Sequence, residues 1–273
     1  MKTIFITGAS RGFGRLWTEA LLQRGDQVIA TARNLTDLEG LKKQYKDRFL
    51  PLQLDVTDRI ATIETVNKAL KYFGKIDVLI NNAGYGLFGT VEETTEDQAR
   101  AQMETNFFGL LWVTQAILPV MRAQKSGHII QISSFLGLTT LPMLGLYNAS
   151  KFAVEGLSET LASEVAHQNI KITLIEPNGY ATDWAGASAV QTENGITDYQ
   201  PVRDAFTTAG EDASTWGKPI ATVQPVLELI DNPEPPLRLL FGKVAYDAVE
   251  RSLTCRLKEI HHWKDVSIKA HGH

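Results

Sequence analysis

Two hydrophobic rhythms alternate along the chain. Short, β-branched and almost continuously apolar runs stand at residues 3–7, 27–31, 50–54, 78–81, 128–133, 171–175 and 237–241, the pattern of strands buried on both faces. Between them lie longer segments whose apolar residues recur at helical spacing, such as 15–23 after the first run. Strand and helix in alternation predict βα units and a mainly parallel sheet. The expected architecture is therefore α/β: a single-domain, Rossmann-type doubly wound sheet of about seven strands flanked by helices. Two helix starts carry capping-box spacing, Thr36 with Glu39 and Thr95 with Gln98, in which side chains satisfy orphan amide donors. No Pro/Gly/Ser linker interrupts the alternation before residue 180, which favours one domain over residues 1–273. Between 183 and 218 both rhythms fade among Gly186, Gly195, Pro201, Gly210 and Gly217. A connection this long in a compact domain is usually functional or disordered, and a substrate lid is expected there.

The stretch 106–121 is uncharged, and Phe107, Phe108, Leu111, Trp112, Ile117 and Leu118 spread around more of its circumference than one sheet contact covers. Asn106, Thr114, Gln115 and Pro119 interrupt it too often for a bilayer span. It reads as a buried helix with a subunit contact, hence a homodimer or homotetramer with no membrane partner.

Composition narrows the picture further. A chain of 273 residues with 44% hydrophobic and 21% charged positions has globular proportions. Its net charge of -4 lacks the basic excess that phosphate-backbone binding requires, so no nucleic-acid partner is expected. The one cysteine, Cys255, builds neither an internal disulfide nor a metal cluster, and it suits a reducing cytosol. The apolar-rich run at the start spans only residues 3–7, too short for a signal peptide, so a cytoplasmic protein is expected.

Two glycine-rich stretches compete for phosphate chemistry. Thr7-Gly8-Ala9-Ser10-Arg11-Gly12-Phe13-Gly14 follows the first strand and opens a helix, the context in which backbone amides and a helix N-terminus cradle a pyrophosphate. A literal G-x-G-x-x-G stands at Gly84, Gly86 and Gly89, but Glu92, Glu93, Glu96 and Asp97 follow it, and their charge would repel phosphate. The first loop instead carries Arg11 and leads to Arg33 after the second strand. On its own it also fits an ordinary βα turn in which glycine only permits tight packing.

Tyr147 and Lys151 lie four residues apart on a helix running towards His167, so their side chains share a face. An ammonium beside a phenol favours phenolate. Bringing a tyrosine from about 10 to near 7 takes roughly 4 kcal/mol, which a dry site supplies more readily than a solvated surface. Ser134 ends the fifth strand, at the strand end where open parallel sheets bind ligands. Read singly, Tyr147 is a packed aromatic, Lys151 a solvated helix residue and Ser134 a cap.

Together these residues carry a resemblance. Thr-Gly-x-x-x-Gly-x-Gly at 7–14, Asn81-Asn82-Ala83-Gly84, Ser134 and Tyr147-x-x-x-Lys151, in this order and spacing over most of the chain, resemble the classical short-chain dehydrogenase/reductases. The resemblance implies that Tyr147 is the general acid of carbonyl reduction, or the base of alcohol oxidation, with Ser134 orienting the reacting oxygen. It implies that Lys151 lowers the tyrosine pKa and binds the nicotinamide ribose, and that Asn106 helps to hold a water relay to Lys151. It places Gly8, Ser10, Arg11, Gly12, Phe13 and Gly14, Asp55 and Val56, and Asn82, Ala83 and Gly84 at the dinucleotide. Tyr147, Lys151, Pro177, Gly179 and Thr182 complete that set on the nicotinamide side. Asp55 equally suits a cap of the next helix.

The residue after the second strand discriminates between cofactors, because a carboxylate there favours NAD and repels the NADP phosphate. Thr31-Ala32-Arg33 offers a guanidinium instead, so NADP(H) is expected rather than NAD(H). The sequence departs from the family at Glu176-Pro177-Asn178-Gly179, where Asn178 stands in place of glycine; asparagine tolerates a positive φ better than most residues. Phe135, Leu136, Leu138, Leu141, Met143 and Leu144 crowd behind Ser134 and suit a substrate with an apolar body. The expected activity is hydride transfer between NADP(H) and a ketone, aldehyde or secondary alcohol, with no metal. A dinucleotide-sensing binding protein without turnover is the alternative on the same fold.

Overall fold

A computed structural model describes residues 1–186, 188–193 and 195–272. The strands are β1 (Thr3–Ile6), β2 (Gln27–Ala32), β3 (Phe49–Gln53), β4 (Val78–Asn81), β5 (Leu87–Phe88), β6 (Gly127–Ile132), β7 (Ile170–Pro177), β8 (Val190–Gln191) and β9 (Arg238–Phe241). The helices are α1 (Gly12–Arg24), α2 (Glu39–Tyr45), α3 (Arg59–Phe73), α4 (Glu96–Met103), α5 (Leu110–Gln124), α6 (Gly145–Val165), α7 (Gln200–Gly210), α8 (Val223–Asp231), α9 (Lys243–His262) and α10 (Lys264–Lys269).

Seven strands form one parallel sheet in the order β3-β2-β1-β4-β6-β7-β9. All seven apolar runs became these strands, with ends moved by at most two residues. Strand side chains alternate between faces, and both faces are covered. Ile4, Ile6, Val28 and Ile80 pack with α1 and α8, while Phe5, Ile29, Leu79 and Ile129 pack with α3, α5 and α6. Strand order reverses between β1 and β4, the position at which doubly wound sheets open a binding crevice.

The Thr95–Gln98 capping box is present. The expected Thr36–Glu39 box is absent, because residues 36–38 form a 3-10 turn and Asn34 Oδ1 takes the Thr36 amide at 3.0 Å. The uncharged stretch is not one uniform helix: Glu104–Gly109 is a π turn, and α5 starts at Leu110. Helix α6 stops at Val165, before His167. Residues 183–218 carry more order than their composition promised. They hold α7 and β8, the latter paired with β5. Pro201 and Gly210 sit at the two ends of α7, where helices admit them, so the composition that signals a loop here punctuates a helix. Among the described residues no helix is long and apolar enough to cross a membrane.

Candidate active site

Each residue expected at the site lies at or just beyond the C-terminal end of a sheet strand, or on a helical segment that follows one. The loop after β1 is shaped by the chain after β4. Thr7 Oγ1 accepts from the amides of Asn82 and Ala83, both at 3.0 Å, and Asn82 Nδ2 donates to the carbonyls of Thr7 and Gly8 at 2.9 and 3.0 Å. Gly8 and Gly12 hold left-handed backbone, at φ +66° and +55°. A Cβ on Gly8 would lie 2.9 Å from Ala83 Cα, and one on Gly14 2.6 Å from Asn82 Nδ2. Thr7, which opens the glycine motif but had been given no role of its own, thus fixes the two glycine segments against each other.

The other rim of this loop is the turn after β7. A Cβ on Gly12 would meet Thr182 at 3.8 Å, and Phe13 packs edge-on against Tyr180 with ring centres 5.0 Å apart. No side chain caps α1, whose N-cap is Arg11, so its first amides suit an anion. Ser10 lies half-buried in the same loop. Arg11 and Arg33 are exposed and, among the described residues, enter no ion pair. These open amides and unpaired guanidiniums fit a phosphorylated dinucleotide. Asp55 does not cap α3: Asp58 does, accepting from the Ala61 amide at 2.9 Å, while exposed Asp55 accepts from Thr57. Val56 is buried where Gly109 leaves it room.

Asn178 needs no positive φ, so the reason expected for its tolerance does not apply. Its side chain is a tie instead. Nδ2 donates to Gly179 O at 2.7 Å and Thr215 O at 3.2 Å, and the backbone amide donates to Phe241 O at 3.0 Å.

Ser134, Tyr147 and Lys151 converge in a buried position. Ser134 Oγ accepts from the Leu136 amide at 3.1 Å and donates to Pro177 O at 3.4 Å, and the Tyr147 hydroxyl lies close to it. Lys151 Nζ lies 5.6 Å from the Tyr147 ring centre and donates to Ile132 O at 2.8 Å. Burial lifts the Tyr147 phenol above its ordinary value, with the Ser134 hydroxyl opposing. The lowering expected from Lys151 is not seen, because lost hydration dominates. Burial also pushes Lys151 down to about 8, against the charge of Glu155. Asn106 is fixed by the chain rather than by Lys151: Oδ1 accepts from the Tyr85 amide at 3.1 Å, and Nδ2 donates to Tyr85 O and Ser150 Oγ at 3.0 and 3.2 Å. Gly84 makes room for it, since a Cβ there would lie 3.1 Å from Asn106 Oδ1.

Around Tyr147 stands an apolar wall of Phe135, Leu136 and Leu144 with Ala245 and Val249 of α9; Leu138 packs against it, whereas Leu141 is exposed. Trp184, another residue the sequence did not single out, packs edge-on against Tyr147 at 5.0 Å and against Phe88 at 5.2 Å. Gly86 admits it, since a Cβ there would lie 2.7 Å from the indole. Gly86 thus serves packing, and two of the carboxylates after it, Glu92 and Glu93, serve as anchors. Glu93 accepts from the amides of Gly195 and Ile196 at 3.0 and 2.9 Å and pairs with Arg203, and Tyr199 donates to Glu92 at 2.6 Å. The Thr90 hydroxyl and the Ile196 amide hold the Glu93 carboxyl well below the usual carboxylate range.

Residues 2–193 match the family model described as short chain dehydrogenase. The chain is 42% identical to Oxidoreductase BOA17 of Botryotinia fuckeliana over 98% of both chains. It is 32% identical to an NADPH-dependent 3-dehydrocapnine reductase of Ornithobacterium rhinotracheale, over 82% of this chain and 81% of that one. The crystal structure of a short-chain dehydrogenase from Streptomyces avermitilis superposes with a TM-score of 0.91 at 35% identity, covering 99% of this chain and 100% of that one.

Proposed function

From the chain's membership of the short-chain dehydrogenase family, we propose that it is an NADP(H)-dependent oxidoreductase interconverting a carbonyl and a secondary or primary alcohol on a substrate with an apolar body. The observation that carries this reading is the buried meeting of Ser134, Tyr147 and Lys151 at the strand ends, walled by Phe135, Leu136, Leu144 and Trp184. The unpaired Arg33 and Arg11 favour the extra phosphate of NADP, and the relative named as NADPH-dependent supports the same choice. The loop amides of residues 8–14, with the Thr182 turn opposite, would hold the dinucleotide, which supplies or accepts a hydride when bound.

The chain's own residues handle the proton. Ser134 Oγ, fixed by the Leu136 amide, orients the substrate oxygen beside Tyr147. With its phenol held neutral by burial, Tyr147 is set to donate that proton to the oxygen as the carbonyl carbon receives hydride, and the reverse transfer serves alcohol oxidation. Lys151, as an ammonium, stabilises the resulting tyrosinate. Trp184 and Phe206 reach the apolar wall from the 183–218 segment, which serves as the lid over the substrate. The half-buried face formed by Phe108 of the π turn with Leu111 and Trp112 of α5 is the surface for a second copy, and the exposed free thiol of Cys255 suits a reducing cytosol.

The test is a panel of carbonyl compounds followed by NADPH absorbance, with Tyr147→Phe and Lys151→Ala in parallel. Tyr147→Phe should lose about 10² to 10⁴-fold in turnover at nearly unchanged NADPH affinity, whereas Lys151→Ala should lose both. Wild-type turnover in Tyr147→Phe would refute the reading, and NADPH binding without turnover on any carbonyl would favour a sensing protein.

A further inference from the structure

One helical turn beyond Lys151, Glu155 points into the same buried region, and Glu176 of β7 meets it there with no exposed surface. Arg238 of β9 joins them: its Nε lies 3.0 Å from Glu155 Oε2 and 3.6 Å from Glu176 Oε1, and its Nη2 donates to Glu159 Oε2 at 2.8 Å. Glu155 Oε1 and both oxygens of Glu176 find no hydrogen-bond donor among the described residues. Two ionised carboxylates cannot donate to each other, and a pair of buried charges facing one guanidinium is costly. A proton held between them relieves both problems. In agreement, burial and then the charge of Glu155 lift Glu176 to about 8.

The pair also adjoins the active-site turn. A Cβ on Gly137 would lie 2.8 Å from Glu155 Cγ, 2.9 Å from Ser133 Oγ and 3.1 Å from Lys151 O, so glycine lets the turn bearing Ser134 rest directly on Glu155. The charged groups facing the pair are Lys151 and Glu159 from α6 and Arg238 from β9. Helix α9 brings Arg256 over the Phe152 ring at 5.3 Å, and the π turn meets α6 through the neutral Asn106 and Ser150. Lys151 makes no salt bridge among the described residues, which leaves this pair as its nearby anion.

We propose that Glu155 and Glu176 share a single proton beneath the active-site turn, and that the one negative charge left on the pair holds Lys151 as an ammonium, making both of them positioning residues. This rests on Lys151 being part of the active site. A shared proton has a signature. Either single glutamine variant leaves one carboxylate in place, so Lys151 should hardly notice, whereas the double variant removes the charge altogether.

The test is a pH titration of the full chain by NMR with labelled lysine side chains, without cofactor or substrate, the Lys151 signal being identified by its loss in Lys151→Ala. Glu155→Gln and Glu176→Gln should each move the Lys151 midpoint by a few tenths of a pH unit. Glu155→Gln/Glu176→Gln together should lower it by about one unit, a tenfold change in proton affinity. An unmoved midpoint in the double variant overturns the proposal, as does a full shift in Glu155→Gln alone. Should the double variant not fold, labelled glutamate carboxyls in Glu155→Gln decide: Glu176 should titrate well below its wild-type midpoint, and an unchanged midpoint overturns the shared proton. Because nothing here depends on turnover, a failure of the catalytic reading, seen as full activity in Tyr147→Phe, is told apart from a failure of this one.

Discussion

Gly242→Ala tests how the turn after β7 is held. Gly242 sits at φ +101° and ψ 148°, a region essentially restricted to glycine, where another residue costs of order 1–3 kcal/mol. A Cβ there would also overlap Asn178 Oδ1. To escape, the Asn178 amide must rotate and give up its hydrogen bonds to Gly179 O and Thr215 O, each contributing about 0.5–1.5 kcal/mol. The two effects together come to about 2–6 kcal/mol, which in a domain of this size lowers Tm by roughly 5–20 °C. Thermal melts of wild type, Gly242→Ala, Asn178→Gly and the double variant separate the contributions. Once Asn178 is gone the overlap disappears, so the double variant should be less destabilised than the sum of the singles by about 1–3 kcal/mol. Melting of Gly242→Ala within about 2 °C of wild type, or strict additivity of the two changes, would refute the account. The tie lies at the start of the turn that ends at Thr182, so NADPH affinity measured below the melting range should weaken in the same order.

Arg33→Ala should weaken NADPH far more than NADH, because only NADPH offers a 2′-phosphate to the guanidinium; it should also flatten the salt dependence of NADPH affinity. Titration of both cofactors at two ionic strengths checks this, and equal weakening of the two refutes it. His128 bears on acid stability: buried on β6, with Nε2 3.0 Å from Thr173 Oγ1, it is pushed down to about 4 by burial and then by the charges of Lys2 and Lys171. Below its ordinary value of 6.5 the unfolded chain takes up a proton that the folded chain refuses, so stability falls as pH drops from about 6.5 towards 4, by up to about 3 kcal/mol. Glu176 acts oppositely, since its raised value stabilises the fold as pH falls from about 8 to 4.5. Denaturant melts of His128→Gln against wild type isolate the histidine effect, and parallel pH profiles would exclude it.

What the sequence disclosed and what it hid divide along one physical line. The seven sheet strands were readable because each is a continuous apolar run, a property of neighbouring residues alone. The same holds for the glycine loop that opens α1 and for the spacing of Tyr147 and Lys151 on one helix. Contacts between distant, non-periodic segments leave no such mark. Glu93 was read only for its charge, and its use as an anchor depends on Arg203, 110 residues away. Trp184 sits in a stretch with neither rhythm, and only the fold sets it against Tyr147. Asn178 was noticed as a departure, but its explanation lies in Gly242, a glycine with no motif around it. Glu155 and Glu176 make the sharpest case. Each alone looks like a carboxylate on an ordinary helix or strand, and only β9, by bringing Arg238 to both, turns them into a pair. This region is therefore specified twice: locally, in motifs that set the spacing of Ser134, Tyr147 and Lys151, and again through contacts between polar residues far apart in sequence that hold its turns. The second specification is where substitutions outside the motifs should alter catalysis without touching a reacting atom.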